Sequence, residues 1–370
     1  MVDRRRIVRL WSTGGAQALV TLISVEGSSY RRPGAHLLIG AAGECAGMIS
    51  GGCLEAEVVR RALWMVRAGA VVERYSTLFD DTAELPFGLG CGGVVDLLLE
   101  PADTPECRAL LAAMEASLGG SESRVTTWLP AKGRPLRRAV IAADGSLIFR
   151  SEGLNAGDLD AIAARFTARV DSDSEAYVET LSIPQRLFVL GAGEDAKPVV
   201  TMASLLGWSV TVVDGRAQLA RAERFVEAER VLAIGSVAEL GIGAADAVVV
   251  MTHSYEQDRV FLAELLAGTA GYIGLLGATH RSSLLIGEAA AQLGHSVAQC
   301  CERVWAPVGM DLGGDGAEAI ALAVVAEVQA WRQGKLGASR RLSAVDVARQ
   351  IEQGGASRYL QTQCAMGAAK

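Results

Sequence analysis

The sequence predicts an α/β protein: an amino-terminal α+β domain followed by a doubly wound parallel sheet of nucleotide-binding type. Three observations carry this. The stretch Leu187-Phe-Val-Leu-Gly-Ala-Gly-Glu-Asp-Ala196 reads as a strand, a glycine turn and a helix start, and Val212-Val-Asp214 closes a second strand. Apolar runs at 209–213, 247–251 and 271–275 then alternate with helical patterns, as parallel strands joined by crossover helices require. Finally, 370 residues exceed the size at which one hydrophobic core keeps growing, so two domains are expected.

The first half justifies its elements in turn. The aliphatic and β-branched runs 18–25 and 36–39, bounded by glycine, proline and serine, predict a pair of strands. Positions 54–66 carry apolar and charged residues at helical spacing, beginning just after Gly51-Gly52-Cys53. Strands follow at 71–77 and 94–100, and a helix over 105–118 stops before Gly119-Gly120-Ser121. A subdomain joint is expected near 119–123. Segments 124–129 and 137–149 read as strands, the second folded back at Asp144-Gly145. A helix is expected over 155–170 and a strand over 177–181. The Pro184 segment marks the boundary, giving domains 1–183 and 184–335 and a peripheral tail over 336–370. Asp315-Gly-Ala-Glu318 matches a capping box before a helix that ends at Trp331. The apolar face of that helix predicts core packing and leaves a homodimer open.

Composition excludes several roles. A formal charge of −7 gives no general attraction for nucleic acid, so the Arg4–Arg6 cluster reads as a solvated helix face. No apolar run approaches the roughly 20 residues that span a bilayer. The basic start is not followed by an apolar leader core, and the expected location is the cytoplasm. Seven cysteines without C-x-x-C spacing, and four scattered histidines, suggest reduced thiols and no resident metal.

Within the glycine fingerprint, Gly191 permits the tight turn and Gly193 lets a phosphate approach the backbone at the helix start. Lys197 would reinforce phosphate binding or stand solvated. Asp214 would meet a ribose hydroxyl or remain a strand-end carboxylate, and Arg216 would take a phosphate or pair with Asp214. His253 follows a strand and should lie at the sheet's carboxyl edge, as a ligand contact, an acid/base or a loop cap. Gly277 and Arg281 follow the next strand toward the same edge.

Two glycine-cysteine segments stand apart: Ser50-Gly-Gly-Cys-Leu-Glu55 and Gly88-Leu-Gly-Cys-Gly-Gly93. Glycines on both sides leave a thiol accessible, and a helix start favours the thiolate, so Cys53 and Cys91 are candidates for holding a thiophilic metal or relaying sulfur. The bland alternative is that they fill tight corners. Gly27-Ser-Ser-Tyr-Arg-Arg-Pro-Gly34 brings hydroxyls, including that of Ser29, an aromatic face and a guanidinium pair that includes Arg31 into one loop suited to a phosphorylated heterocycle.

Taken in order with Thr252-His253 and Pro307-Val-Gly-Met-Asp311, these motifs resemble the XdhC/CoxI family of maturation factors for xanthine and carbon monoxide dehydrogenases, through about residue 330. The resemblance implies an XdhC/CoxI domain followed by a Rossmann domain. It also implies transient binding of the molybdenum cofactor, its sulfuration with a cysteine desulfurase as partner, and its transfer to an apo-xanthine dehydrogenase-type molybdenum hydroxylase. NAD(P) or another nucleotide stays open as a ligand. The competing expectation is an NAD(P)-dependent oxidoreductase, or a nucleotide-binding scaffold without turnover. Against the first, no Tyr is followed four residues on by Lys, only four lysines exist, and neither G-x-S-x-G nor a P-loop occurs.

Overall fold

The computed structural model describes residues 1–52, 54–76, 93–154 and 176–337. Cys53, Cys91, the helix expected over 155–170 and the tail beyond 337 lie outside the described residues. The chain divides into two compact units, one built from residues 2–183 and one from 184–340, each described separately below.

The first unit begins with α1 (Val2–Ser12), β1 (Ala16–Gly27), β2 (Ala35–Gly40), β3 (Cys45–Gly47), α2 (Glu55–Met65), β4 (Val71–Ser76) and β5 (Gly93–Pro101). The strands form an antiparallel sheet in the order β3-β2-β1-β5-β4. All six residues of β2 are buried, because both faces of this sheet are covered, and the strand therefore reads as a continuous apolar run rather than an alternating one. Val20, Leu22, Leu37, Ile39, Leu97 and Leu99 meet Val58 and Ala62 of α2 on one face. Leu19 and Leu38 on the other face meet Ile7 of α1 and Leu110, Leu111 and Met114 of α3 (Pro105–Leu118).

That second cluster also contains Val125, Val140 and Leu181, which belong to β6 (Ser123–Trp128), β7 (Arg137–Ala142) and β9 (Ala176–Leu181). With β8 (Leu147–Arg150) these make a four-stranded antiparallel sheet, β8-β7-β6-β9. The turn at 119–122 thus connects a helix and a sheet that share one core. Arg4 departs from the solvated face expected of it: its guanidinium donates to Ser117 Oγ at 2.8 Å and to the Ser182 carbonyl at 2.7 Å. Arg5 and Arg6 are exposed as expected.

The second unit contains β10 (Arg186–Leu190), α4 (Ala196–Leu205), β11 (Ser209–Val213), β12 (Arg230–Leu232), β13 (Ala247–Val250), α5 (Tyr255–Ala267) and β14 (Tyr272–Leu275). It ends with α6 (Thr279–Leu293), α7 (Val297–Cys301), β15 (Val304–Trp305) and α8 (Ala317–Arg332). Six parallel strands lie in the order β12-β11-β10-β13-β14-β15. Their order reverses between β10 and β13, and the crevice at the carboxyl ends of those two strands is where such sheets bind ligands. Val199, Val200 and Ala203 of α4 and Ala321, Val324 and Val328 of α8 cover one face. Phe261 and Leu262 of α5, Leu285 and Ala289 of α6, and Cys300 of α7 cover the other. No helix of the described residues is long and apolar enough to cross a membrane.

The expected capping box before α8 does not form: the cap residue is Gly316 at φ +88°, with no side-chain bond to the helix. Glycine at that backbone angle leaves Asp315 one residue too early to cap. A capping box occurs instead at Ser296 and Gln299, at the start of α7.

Candidate functional site

In the first unit the described residues of the three glycine motifs meet at one end of the five-stranded sheet. Gly27, the last residue of β1, is paired with Gly93, the first of β5, so the Gly27–Gly34 loop and the end of the Gly88–Gly93 motif share a ladder rung. A Cβ at Gly93 would collide with the Ser28 carbonyl. The third motif enters through Gly51, where a Cβ would stand 3.6 Å from Cγ of Tyr30.

The Ser50–Glu55 turn is organised by one carboxylate. Glu55 Oε1 accepts from the N–H groups of Ile49 (3.1 Å) and Ser50 (2.7 Å), while Oε2 accepts from the Gly52 N–H (3.1 Å) and the Ser50 hydroxyl. Burial alone would raise this carboxyl, but the Ser50 hydroxyl and the backbone donors together hold it below the ordinary carboxylate value. Its stabilising contribution is therefore complete above the unfolded value of about 4.3 and is lost as pH falls through the lower folded value. Replacing Glu55 with Ala should destabilise the unit by about 1–3 kcal/mol by stranding those donors, and Glu55→Gln should recover part of it. Thermal unfolding checks this, and an unchanged Tm for Glu55→Ala would show that the turn is held by other means.

Among the residues expected here, Arg31 is anchored to Asp3 of α1, whereas Ser29 is half-buried with no side-chain hydrogen bond among the described residues. Cys53 and Cys91 lie outside the described residues. Of the described cysteines, Cys107 and Cys300 are buried and Cys45 and Cys301 exposed. Burial, then the charge of Glu44, pushes the Cys45 thiol up, so it is not an activated thiolate. Among the described residues no group of three or more His, Cys, Asp or Glu side chains is arranged to hold a metal ion.

In the second unit, the sheet edge brings together Gly191, Gly193, Lys197, Asp214, Arg216, His253, Gly277 and Arg281. Gly191 sits at φ +133°, where a Cβ would collide with the Met251 carbonyl, so glycine here is needed for β10 and β13 to leave the sheet side by side. Asp214 is fully buried. One of its oxygens accepts from the Arg216 backbone N–H and Nε, each at 2.9 Å, and the other from the Ala192 N–H (2.9 Å) and Arg216 Nη2 (2.7 Å). Burial works against its charge, yet the Arg216 and Ala192 bonds keep the carboxyl below its usual value. Arg216 also donates to the Thr252 carbonyl at 2.8 Å. Of the alternatives open in the sequence, Asp214 and Arg216 therefore pair with each other.

Lys197 pairs with Glu194 at 2.6 Å, and Arg224 reaches the same carboxylate at 2.6 Å while donating to the Ala192 carbonyl at 2.9 Å. His253 occupies a left-handed backbone conformation at φ +59°, and its exposed ring sets Nε2 2.7 Å from Asp195 Oδ2. Beyond it, buried Asp258 accepts from the Thr252 hydroxyl (2.6 Å) and from Arg281 (2.6 Å), and a Cβ at Gly277 would stand 3.3 Å from Arg281 Nη1. The charged side chains named here are thus taken up in ion pairs around a glycine turn, and Asp214 is not an idle ribose acceptor.

Sequence reasoning missed Asp195, Asp258, Glu55 and Arg224. Asp195 had a readable signal, an acidic residue at the cap position of the fingerprint helix, where a phosphate is expected. Asp258 and Arg224 carried none, since their ion-pair partners Arg281 and Glu194 are remote in the chain.

Comparison with known proteins agrees with both units. A family model described as the XdhC and CoxI family matches residues 10–76, and one described as the XdhC Rossmann domain matches residues 187–328. A Bacillus subtilis protein, named as a probable subunit of xanthine dehydrogenase, is 27% identical over 324 residues, covering 84% of this chain and 91% of that protein. The Escherichia coli molybdenum cofactor insertion chaperone PaoD is 25% identical over 230 residues, covering 53% of this chain and 70% of PaoD. A crystal structure of a Bacillus halodurans protein described as a xanthine dehydrogenase superposes with a TM-score of 0.76 at 25% identity, covering 94% of this chain and 99% of that one. With both family models matched in order and the two-unit fold shared, the chain belongs to the XdhC and CoxI family.

Proposed function

We propose that this protein is an accessory factor that binds the molybdenum cofactor, assists its sulfuration, and delivers it to a xanthine dehydrogenase-type molybdenum hydroxylase. The observation that carries the reading is the convergence of the described residues of the glycine motifs on one end of the five-stranded sheet, where Gly27 faces Gly93 and Gly51 adjoins Tyr30. Glycine-lined backbone, two hydroxyls, an aromatic ring and guanidinium groups suit a phosphorylated pterin as cargo, and Cys53 and Cys91 are the thiols of the two adjoining motifs. The names of the relatives, one a cofactor insertion chaperone and one a part of xanthine dehydrogenase, support the same reading. A cysteine desulfurase would supply the sulfur that replaces the cofactor's terminal oxo ligand, with the cysteines holding the cofactor or passing sulfur to it. The Rossmann edge would take a phosphate or nucleotide portion of a ligand at Gly193 and the start of α4 once the Asp195 carboxylate, which lies over Gly193, moves aside. The domains assigned to these roles are 1–183 and 184–335.

The test is anaerobic incubation of the purified protein with molybdenum cofactor, and separately with NAD(P)H, followed by separation of free ligand and assay of bound molybdenum and pterin. Selective retention of the cofactor is expected. Retention of the nicotinamide nucleotide alone would replace this reading with the oxidoreductase one. Cys91→Ala should lower cofactor retention or sulfuration several-fold at unchanged thermal stability, because a thiol-to-methyl change between glycines removes little packing. Sulfuration at the wild-type rate would remove Cys91 from the mechanism.

A further inference from the structure

The loop between β1 and β2 carries chemistry that the fold does not use. Tyr30 is 71% exposed, and the root of its ring adjoins Gly51: a Cβ added to Gly51 would lie 3.6 Å from the ring's Cγ. The root of the ring therefore meets a glycine of a second motif while most of its surface faces solvent. The loop's root is firm. Gly34, at φ +91°, donates its N–H to the Leu22 carbonyl at 2.9 Å, and the Ser28 carbonyl is packed against Gly93.

The two arginines of this loop have different fates. Arg31 is held by Asp3. Arg32, two residues from Tyr30, is exposed, and its side chain has no ion pair or hydrogen bond among the described residues. An open aromatic ring and, two residues on in the same loop, an unspent guanidinium match a planar heterocycle that carries a phosphate. The ring supplies a stacking platform, and the guanidinium supplies a forked donor for phosphate oxygens.

We propose that Tyr30 and Arg32 clamp the cargo by its pterin end, the heterocycle stacking on Tyr30 and the phosphate pairing with Arg32. This rests on the cofactor-carrier reading above and adds to it the residues that recognise the organic part of the cargo, independently of the metal and of the cysteines. Because both side chains are exposed, their replacement leaves the core untouched.

The probe is the oxidised, metal-free pterin released from the cofactor, used with and without its phosphate and followed by its own fluorescence, beside retention of the intact cofactor. The wild type should bind the phosphorylated pterin, and removing the phosphate should weaken binding about tenfold. Tyr30→Ala and Arg32→Gln should each lose about tenfold or more, Tyr30→Phe should retain binding because it keeps the ring, and Arg32→Lys should recover only part because it loses the fork. If Tyr30→Ala and Arg32→Gln bind the pterin like the wild type, the clamp is wrong and the carrier reading stands. The same holds if the wild type retains intact cofactor but ignores the metal-free pterin. Failure to retain either ligand sinks both.

Discussion

Replacing Arg138 with Leu should destabilise the amino-terminal unit by about 3–5 kcal/mol, the range observed when one partner of a buried ion pair is removed. Arg138 and Glu100 are both 1% exposed and meet as a fork, with two N–H to carboxylate contacts of 2.9 Å. Two further donors are used: Nε reaches Thr127 Oγ1 at 2.9 Å and Nη1 reaches the Glu106 carbonyl at 2.8 Å. These partners lie on β5, β6 and α3, so a single side chain of β7 ties both sheets to the helix between them. The cost of Arg138→Leu comes from the Glu100 carboxylate left in apolar surroundings. For that reason the double variant Glu100→Leu, Arg138→Leu should regain much of the loss, as apolar replacements of whole buried pairs do. Urea unfolding of the full chain measures both. A single variant within about 1 kcal/mol of wild type would mean that water or rearrangement rescues Glu100.

The second large effect concerns ligand choice at the Rossmann edge. Asp195 does not cap its own helix; its carboxylate folds over Gly193, where a Cβ would collide with Oδ1, while Oδ2 holds His253. The room that the fingerprint leaves for a phosphate is thus filled by a negative group of the chain itself. Like charges about 4 Å apart repel by roughly 1 kcal/mol in water and about 4 kcal/mol in partly screened surroundings. Asp195→Ala should therefore raise affinity for ADP-ribose and NADH by about 10- to 100-fold, read by calorimetry. If the wild type already binds NADH tightly and Asp195→Ala binds no better, the carboxylate swings aside at no cost and the nicotinamide alternative regains its footing.

Much of the fold was readable because its central strands are buried on both faces and its glycines fall at obligatory turns. The runs at 18–25, 36–39, 94–100, 187–190, 209–213 and 247–251 announce themselves by aliphatic content, and the helices at 54–66 and 105–118 by spacing. What escaped was short or depended on remote partners. Strands β3, β12 and β15 span two or three residues each and are specified by the neighbours they pair with, not by local pattern. The site shows the same division. Gly191 was legible as a backbone requirement, but nothing near Asp214 says whether a ribose or Arg216 will satisfy it. Likewise Arg4 reads as a surface charge until α1 is seen against Ser117 and Ser182.

The parallel order of the second sheet also governs when its edge comes into being during synthesis. Strand β10 is flanked by β11, which follows it closely, and by β13, which follows only after β12 and a long connection. A nascent chain that has emerged through β12 can bring Arg216 to Asp214, but it still lacks the Thr252 carbonyl, His253 and the Asp258 anchor. Pairings between segments this distant form late, because loop closure must precede any return from contact. These contacts therefore form only once α5 has emerged, about halfway through the second unit, and a chain stalled before it lacks the assembled edge.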